Sequence, residues 1–181
     1  MIAEHPIFEV MAREAGEESP LWTAALRPRD AWEAETVFSS LGPDEYALAI
    51  ESIYEGYLLH YAQPRLFAPP DRDTSVLLGD YLYAHGLVRL AEHGNVTAVA
   101  DLAELISLCT HLRAERAAPD ADWAVWAATA ALAGSGDPTL ETARSALRLD
   151  WDAGPLHKLA RNAVGSEVLE RAIEAHRRRV E

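Results

Sequence analysis

The chain lacks most of the residues and motifs that would fix a function class outright. One of its 181 residues is cysteine, Cys109, so no intramolecular disulfide can form and no zinc site can be built mainly from thiolates. Cys109 falls on the apolar stripe of an expected helix and reads as a small buried hydrophobe. Lysine occurs once, as Lys158, among 16 basic residues set against 29 acidic ones. The formal charge of -13 argues against general nucleic-acid binding, which needs clustered cations to displace counterions from phosphates, and against anionic membrane surfaces. No apolar run approaches the roughly 20 residues that span a bilayer. Met1 to Val10 carries Glu4 and Glu9 and no basic stretch, so it does not read as a secretory signal, and a cytoplasmic location is expected.

Chemical motifs are equally scarce. There is no G-x-S-x-G, no P-loop and no G-x-G-x-x-G after a strand, and Gly134-Ser135-Gly136 reads as a connection between helices. His60, His85, His93 and His111 are scattered over three expected helices, so no metal and no cofactor is expected. Glu51 and Glu55, one helical turn apart, can present two oxygens to a metal ion. They lack the Glu-x-x-His partner of bundle carboxylate sites and read as a solvated helix flank. No catalytic residue is assigned.

What the sequence does contain is helical periodicity. An apolar fraction of 49% and a charged fraction of 25% are those of an ordinary globular domain, here one domain over 1–181. Residues 1–28 are expected to be loosely organised, apart from a short helix over 7–15. Pro28-Arg29-Asp30 predicts a helix start, with Trp32, Val37 and Phe38 on its apolar side and Gly42-Pro43 as its end. Tyr46, Ile50, Ile53, Tyr54, Tyr57, Leu58 and Tyr61 then mark one broad face of a helix over 44–62, stopped by Gln63-Pro64. A second long helix over 74–93 carries the stripe Leu77, Tyr81, Ala84, Val88 and Ala91, widened by Leu78, Leu82 and His85. Asp73 or Thr74 is its expected cap. Gly94-Asn95 turns the chain into a third helix, with Val99, Leu102, Ala103, Ile106, Cys109 and Leu112 inward. Shorter helices are expected from Pro119-Asp120, from Asp137-Pro138, near 156–164, and from Gly165-Ser166 to about Val180. No segment alternates as a strand does. The fold class is therefore all-α, a single-domain helical bundle.

All six tyrosines lie on the first two long helices. If those helices enclose a groove, its lining is expected to draw on Tyr54, Tyr57, Leu58, His60 and Tyr61 from one and Asp80, Tyr81 and His85 from the other. A buried tyrosine hydroxyl needs a partner, and Asp80 or His60 can serve. Aromatics packed in a bundle core remain the alternative.

The segment from Glu51 to Glu115 resembles the trans-polyprenyl diphosphate synthase family. Val76-Leu77-Leu78-Gly79-Asp80-Tyr81-Leu82-Tyr83-Ala84 is similar to one of that family's helix starts, and Tyr57-Leu58-Leu59-His60 to the helix end that precedes its first aspartate motif. Leu90-Ala91-Glu92-His93-Gly94, before the helix with Ile106 and Cys109, is also similar, and Gln63-Pro64-Arg65-Leu66 stands where the family has an arginine-containing loop. The resemblance implies part of the all-α isoprenoid synthase fold. It does not carry catalysis across: where the family has D-D-x-x-D, which holds Mg²⁺ against the diphosphate, this chain has Tyr61-Ala62-Gln63-Pro64, and the second aspartate motif has no match. The implied function is a non-catalytic accessory or interaction subunit, of a prenyl diphosphate synthase or of itself as a homo-oligomer. The alternative is a binder of an isoprenoid or other apolar small molecule. A Mg²⁺-dependent prenyl transferase using Glu51, Glu55 and His60 comes last.

Overall fold

The helix Ala47–Tyr61, buried along most of its length, becomes the axis of the molecule, and the other elements are best placed by how they cover it. The structure is a computed structural model that describes residues 6–115 and 122–180. Among the described residues there are nine α-helices, no strand, and one isolated antiparallel bridge between Leu26 and Phe67. They are α1 (Pro6–Glu18), α2 (Pro20–Ala25), α3 (Ala47–Tyr61), α4 (Arg72–Glu92), α5 (Val96–Ala114), α6 (Trp123–Leu132), α7 (Pro138–Asp150), α8 (Gly154–Val164) and α9 (Ser166–Val180). The fold is the expected all-α bundle.

Helix α3 differs from expectation in one respect. Its sequence predicts one buried face, yet every residue from Ala49 to Leu59 is buried, Glu51 and Glu55 included. Helices α1, α4, α5 and α9 all pack against it, which leaves no side for solvent. The helix ends at Tyr61, ahead of Pro64 as expected, with the Ala62 N–H returning to the Leu58 carbonyl at 2.8 Å.

Helix α4 is capped by Asp71, two residues before Asp73 and three before Thr74, because Asp71 accepts from the Thr74 N–H at 2.7 Å. Its orientation also corrects the sequence reading. A Cβ at Gly79 would stand 2.6 Å from His60 Nε2, and one at Gly86 would stand 2.6 Å from Ile53 Cγ1. These glycines bring the backbones of α3 and α4 together, and close approach rather than side-chain bulk selects the inward face. Leu78, Leu82 and Leu90 are buried beside them, whereas Leu77 and Val88 are 58% and 55% exposed. In α5, capped by Asn95, the expected Leu102, Cys109 and Leu112 are buried, joined by Ala98, Leu105 and Leu108, while Ala103 is exposed.

Two further expectations are revised. The helix predicted from Pro28 to Gly42 is reduced to 3-10 turns at Arg29–Ala31 and Ser39–Leu41 with an irregular stretch between. The N–H groups of Val37 and Ser39 donate to Glu51 Oε1 at 3.0 and 3.1 Å, and a helix would have turned those donors onto its own carbonyls. Residues 6–25 are not loose. Phe8, Met11 and Trp22 of α1 and α2 form a second apolar cluster with Leu66, Phe67 and Leu78. The chain after α3 supplies Leu66 and Phe67, a partner that periodicity within 1–28 cannot reveal. The start expected at Pro119-Asp120 lies outside the described residues. Helix α7 opens as read, with Asp137 accepting from the Thr139 N–H at 2.9 Å and Pro138 in its first turn. At the end of α9, Arg178 and Arg179 reach across to Glu35 and Glu33 at 2.9 and 2.7 Å.

Candidate functional site

Two regions concentrate the chemistry, one inside the bundle and one on its surface. The inner region centres on Arg65, which lies in the loop after α3 and is fully buried. Its Nε donates to Glu55 Oε2 at 2.9 Å, and one terminal nitrogen donates to Glu51 Oε2 at 2.5 Å and to the Glu35 carbonyl at 2.9 Å. The guanidinium also lies 4.9 Å from the ring centres of Phe8 and Tyr54. Burial opposes its charge, but the two carboxyl groups beside it outweigh burial and hold its pKa above the ordinary arginine value. Glu55 Oε1 accepts from the backbone N–H groups of Arg65 and Leu66, each at 2.8 Å, as Glu51 Oε1 does from Val37 and Ser39. All four carboxyl oxygens therefore have partners within the protein.

A few ångströms along α3, Tyr54 and Tyr57 stack with ring centres 5.9 Å apart, and Trp126 meets both edge-on at 5.0 and 5.5 Å. The Tyr54 hydroxyl lies 2.9 Å from His176 Nδ1, and His176 Nε2 lies 3.2 Å from Asp122 Oδ1. Burial raises the Tyr54 pKa well above the ordinary phenol, so its hydroxyl keeps its proton, and it donates to Nδ1 in the tautomer that carries its hydrogen on Nε2. In the neutral imidazole, Nε2–H then donates to the carboxylate. The Tyr57 hydroxyl accepts from Arg113, whose guanidinium lies 3.5 Å from Asp122 Oδ2. This relay joins α3, α5, α9 and the residue before α6. It has the residue types of a proton shuttle, but His176, Tyr54 and Tyr57 are each 0% exposed and Asp122 is 1% exposed, so it lies inside the packed core. Its chemistry is cross-linking of the core.

The eight residues expected to line a groove divide between environments. Tyr54, Tyr57 and Leu58 are interior. Tyr61, half-buried, donates to Thr110 Oγ1 at 3.3 Å. His60 lies at the rim, with Nε2 3.2 Å from Asp80 Oδ1 and its ring stacked 5.1 Å from Tyr83. Burial lowers its pKa, Arg72 adds to that, and Asp80 opposes both. Tyr81 and His85 stack 5.3 Å apart on another side of α4, against Trp22 and Glu14. Among the described residues, the backbones of α3 and α4 approach closely at Gly56, Gly79 and Gly86, between His60 and Tyr61 on one side and Tyr81 and His85 on the other. No group of three or more His, Cys, Asp and Glu among the described residues is placed to hold a metal ion.

Sequence reasoning missed Arg65, Asp122 and His176. For Arg65 a signal existed: two glutamates on a helix apolar on every side require a buried cation nearby. For His176 and Asp122 no local signal exists, since the contacts span 122 and 54 positions of chain.

The outer region is the surface of α4. Leu77, Tyr81, Ala84, Val88 and Ala91 recur at alternating steps of four and three on the side opposite Leu78, Leu82, Gly86 and Leu90. Leu77, Ala84, Val88 and Ala91 are exposed and Tyr81 is half-buried. Between this seam and α1 runs a shallow groove of about 380 Å³, walled by Glu14, Glu17 and Glu18 on one side and Tyr81, Val88 and Glu92 on the other. No family model matches the chain, and neither a curated protein nor a solved structure shows significant similarity to it.

Proposed function

We propose that this chain is a non-catalytic interaction protein, an accessory helical subunit that docks a partner on the outward face of α4. The observation that carries the reading is the seam of Leu77, Tyr81, Ala84, Val88 and Ala91 on a helix of 21 residues. Apolar residues repeating every 3.5 positions are what a helix presents to another helix. Left in water, such a continuous apolar strip favours association. The interior supports the non-catalytic half of the reading. Glu51 and Glu55, the carboxylates a prenyl-transferase site would have to use, are consumed by Arg65 and four backbone N–H groups. The tyrosine hydroxyls a ligand pocket would present, those of Tyr54 and Tyr57, are bonded within the core. The resemblance between Glu51 and Glu115 makes a trans-polyprenyl diphosphate synthase the first partner to try.

The test is photo-crosslinking in cells. A benzophenone amino acid at Val88 is expected to capture a discrete partner, and one at Glu141, exposed on α7, is not. Pairing Val88 with Leu77→Glu is expected to abolish the capture. Equal labelling from both positions, or none from Val88 in the folded protein, sinks the reading.

A further inference from the structure

The acidity around the seam identifies the kind of partner that fits it. Glu14, Glu17 and Glu18 of α1 and Glu92 of α4 border the groove beside Tyr81 and Val88. Opposing cations are few: Arg89 and His85 line the same groove and both meet Glu14, and Arg13 lies 3.5 Å from Glu14 and 3.9 Å from Glu17. Glu18 and Glu92 have no ion pair among the described residues, and Glu18 is close enough to add to the burial that raises the Tyr81 pKa. On the seam's other flank stands Asp80, with its side chain 65% exposed. An apolar strip is thus framed by carboxylates on both sides.

Resting on the reading of α4 as a docking face, we infer that its occupant is a cationic amphipathic helix of another protein. Its apolar residues lie along Leu77, Tyr81, Ala84 and Val88, and its lysines or arginines face Glu18, Glu92 and Asp80. Charge decides against the other occupants. A second copy would bring the same carboxylates face to face, on chains that each carry a net charge of -13. Anionic lipid and nucleic acid are repelled by the same groups. A helix also suits the site geometrically, because the strip follows one face of α4 and is exposed at Leu77, Ala84, Val88 and Ala91, with Tyr81 half-buried between them.

The test uses the full chain and three synthetic helices, with binding read by fluorescence anisotropy. The first has leucine at the heptad a and d positions and lysine on the flanks, the second replaces lysine with glutamate, and the third keeps lysine but has serine at a and d. The first is expected to bind at least about tenfold more tightly than either of the others. Its affinity is expected to fall with added salt. Val88→Asp is expected to abolish its binding, and Glu18→Lys with Glu92→Lys to reverse the preference between the first two. Far-UV circular dichroism confirms that each variant is folded. If the glutamate helix binds equally well and Val88→Asp still abolishes binding, the charge inference fails and the docking face stands. If the wild-type chain sediments as a dimer that Val88→Asp dissociates, the occupant is a second copy, with the same consequence. If the serine helix binds as tightly as the leucine helix, or Val88→Asp changes nothing, the seam contributes no docking and both readings fail.

Discussion

Helices α3 and α4 pack directly on each other and show similar apolar patterns in sequence, yet they treat those residues in opposite ways. Helix α3 buries everything from Ala49 to Leu59, including two glutamates, and α4 leaves Leu77 and Val88 more than half exposed. Charge sits inside one and apolar surface outside the other. Burying a carboxyl group is costly unless it is paired and fully hydrogen-bonded, and exposing leucine and valine in a row forgoes burial worth about 25 cal/mol per Å². The contrast teaches that α3 is specified by its internal partners and α4 by the contacts of its own glycines with α3, with its other face left for something else.

The largest effect is expected from breaking the inner half of that contrast. Arg65→Met leaves two carboxyl groups buried without their cation, a change that typically costs about 3–5 kcal/mol. Urea unfolding measures it, and a loss below about 1 kcal/mol would show that the ion triad does not hold α3 in place. Replacing the whole triad with apolar residues is often harmless elsewhere. Here it is expected to remain destabilising, because the N–H groups of Val37, Ser39, Arg65 and Leu66 would lose their acceptors, at about 1–3 kcal/mol each.

A smaller loss is expected at the contact between the two helices. Gly86→Ala improves helix propensity by about 1 kcal/mol. The new Cβ would meet Ile53 Cγ1 at 2.6 Å and the Ala49 carbonyl oxygen at 3.0 Å. One of those atoms is backbone and the other belongs to a stiff β-branched side chain, so the helices must separate. Overpacking of this kind costs about 1–3 kcal/mol, and a net loss of about 1 kcal/mol is expected by thermal unfolding. A net gain would show that the helices can move apart freely, and the account of how α4 is oriented would fail with it.

The rim of the same interface carries a weaker, pH-dependent effect. Burial lowers the His60 pKa below 6.5 in the folded state, and burial followed by Arg161 does the same for His157. On acidification the unfolded chain therefore takes up these protons first, so its bound-proton number exceeds that of the folded state and stability rises with pH. The contribution is present above the unfolded value near 6.5 and is lost as pH falls below it. Unfolding midpoints between pH 7 and pH 5 should decline less in His60→Gln than in the wild type. Identical slopes would remove His60 from the account.

The sequence made the helices legible and their surroundings much less so. Proline and Asx signals located the end of α3 and the start of α7, because capping and proline exclusion act within a few residues. Which face of α4 turns inward was not legible from hydrophobic spacing, since Gly79 and Gly86 carry the close contact and glycine does not register in an apolar stripe. The stretch from Pro28 to Gly42 has helical spacing and forms no α-helix, because its backbone donors serve Glu51 from the neighbouring element. Of the candidate site, the tyrosines of α3 are visible in the sequence as one face of a helix. Their partners, His176 and Arg113, become neighbours only after the chain has folded.

The outer half of the contrast makes the last prediction, where the expected effect on folding is near zero. Leu77→Ser and Val88→Ser remove apolar groups that touch solvent, at residues 58% and 55% exposed in the isolated chain. Exposed substitutions away from caps and buried partners usually change stability by no more than about 0.5 kcal/mol. The same pair placed inward, as Leu78→Ser and Leu82→Ser, should cost several kcal/mol, because both side chains are buried against α1, α2 and the loop after α3. Urea midpoints of the two pairs, measured side by side, separate a face kept for folding from a face kept for a partner. If the outward pair proves as costly as the inward one, the seam belongs to the core of this chain and no partner is needed to explain it.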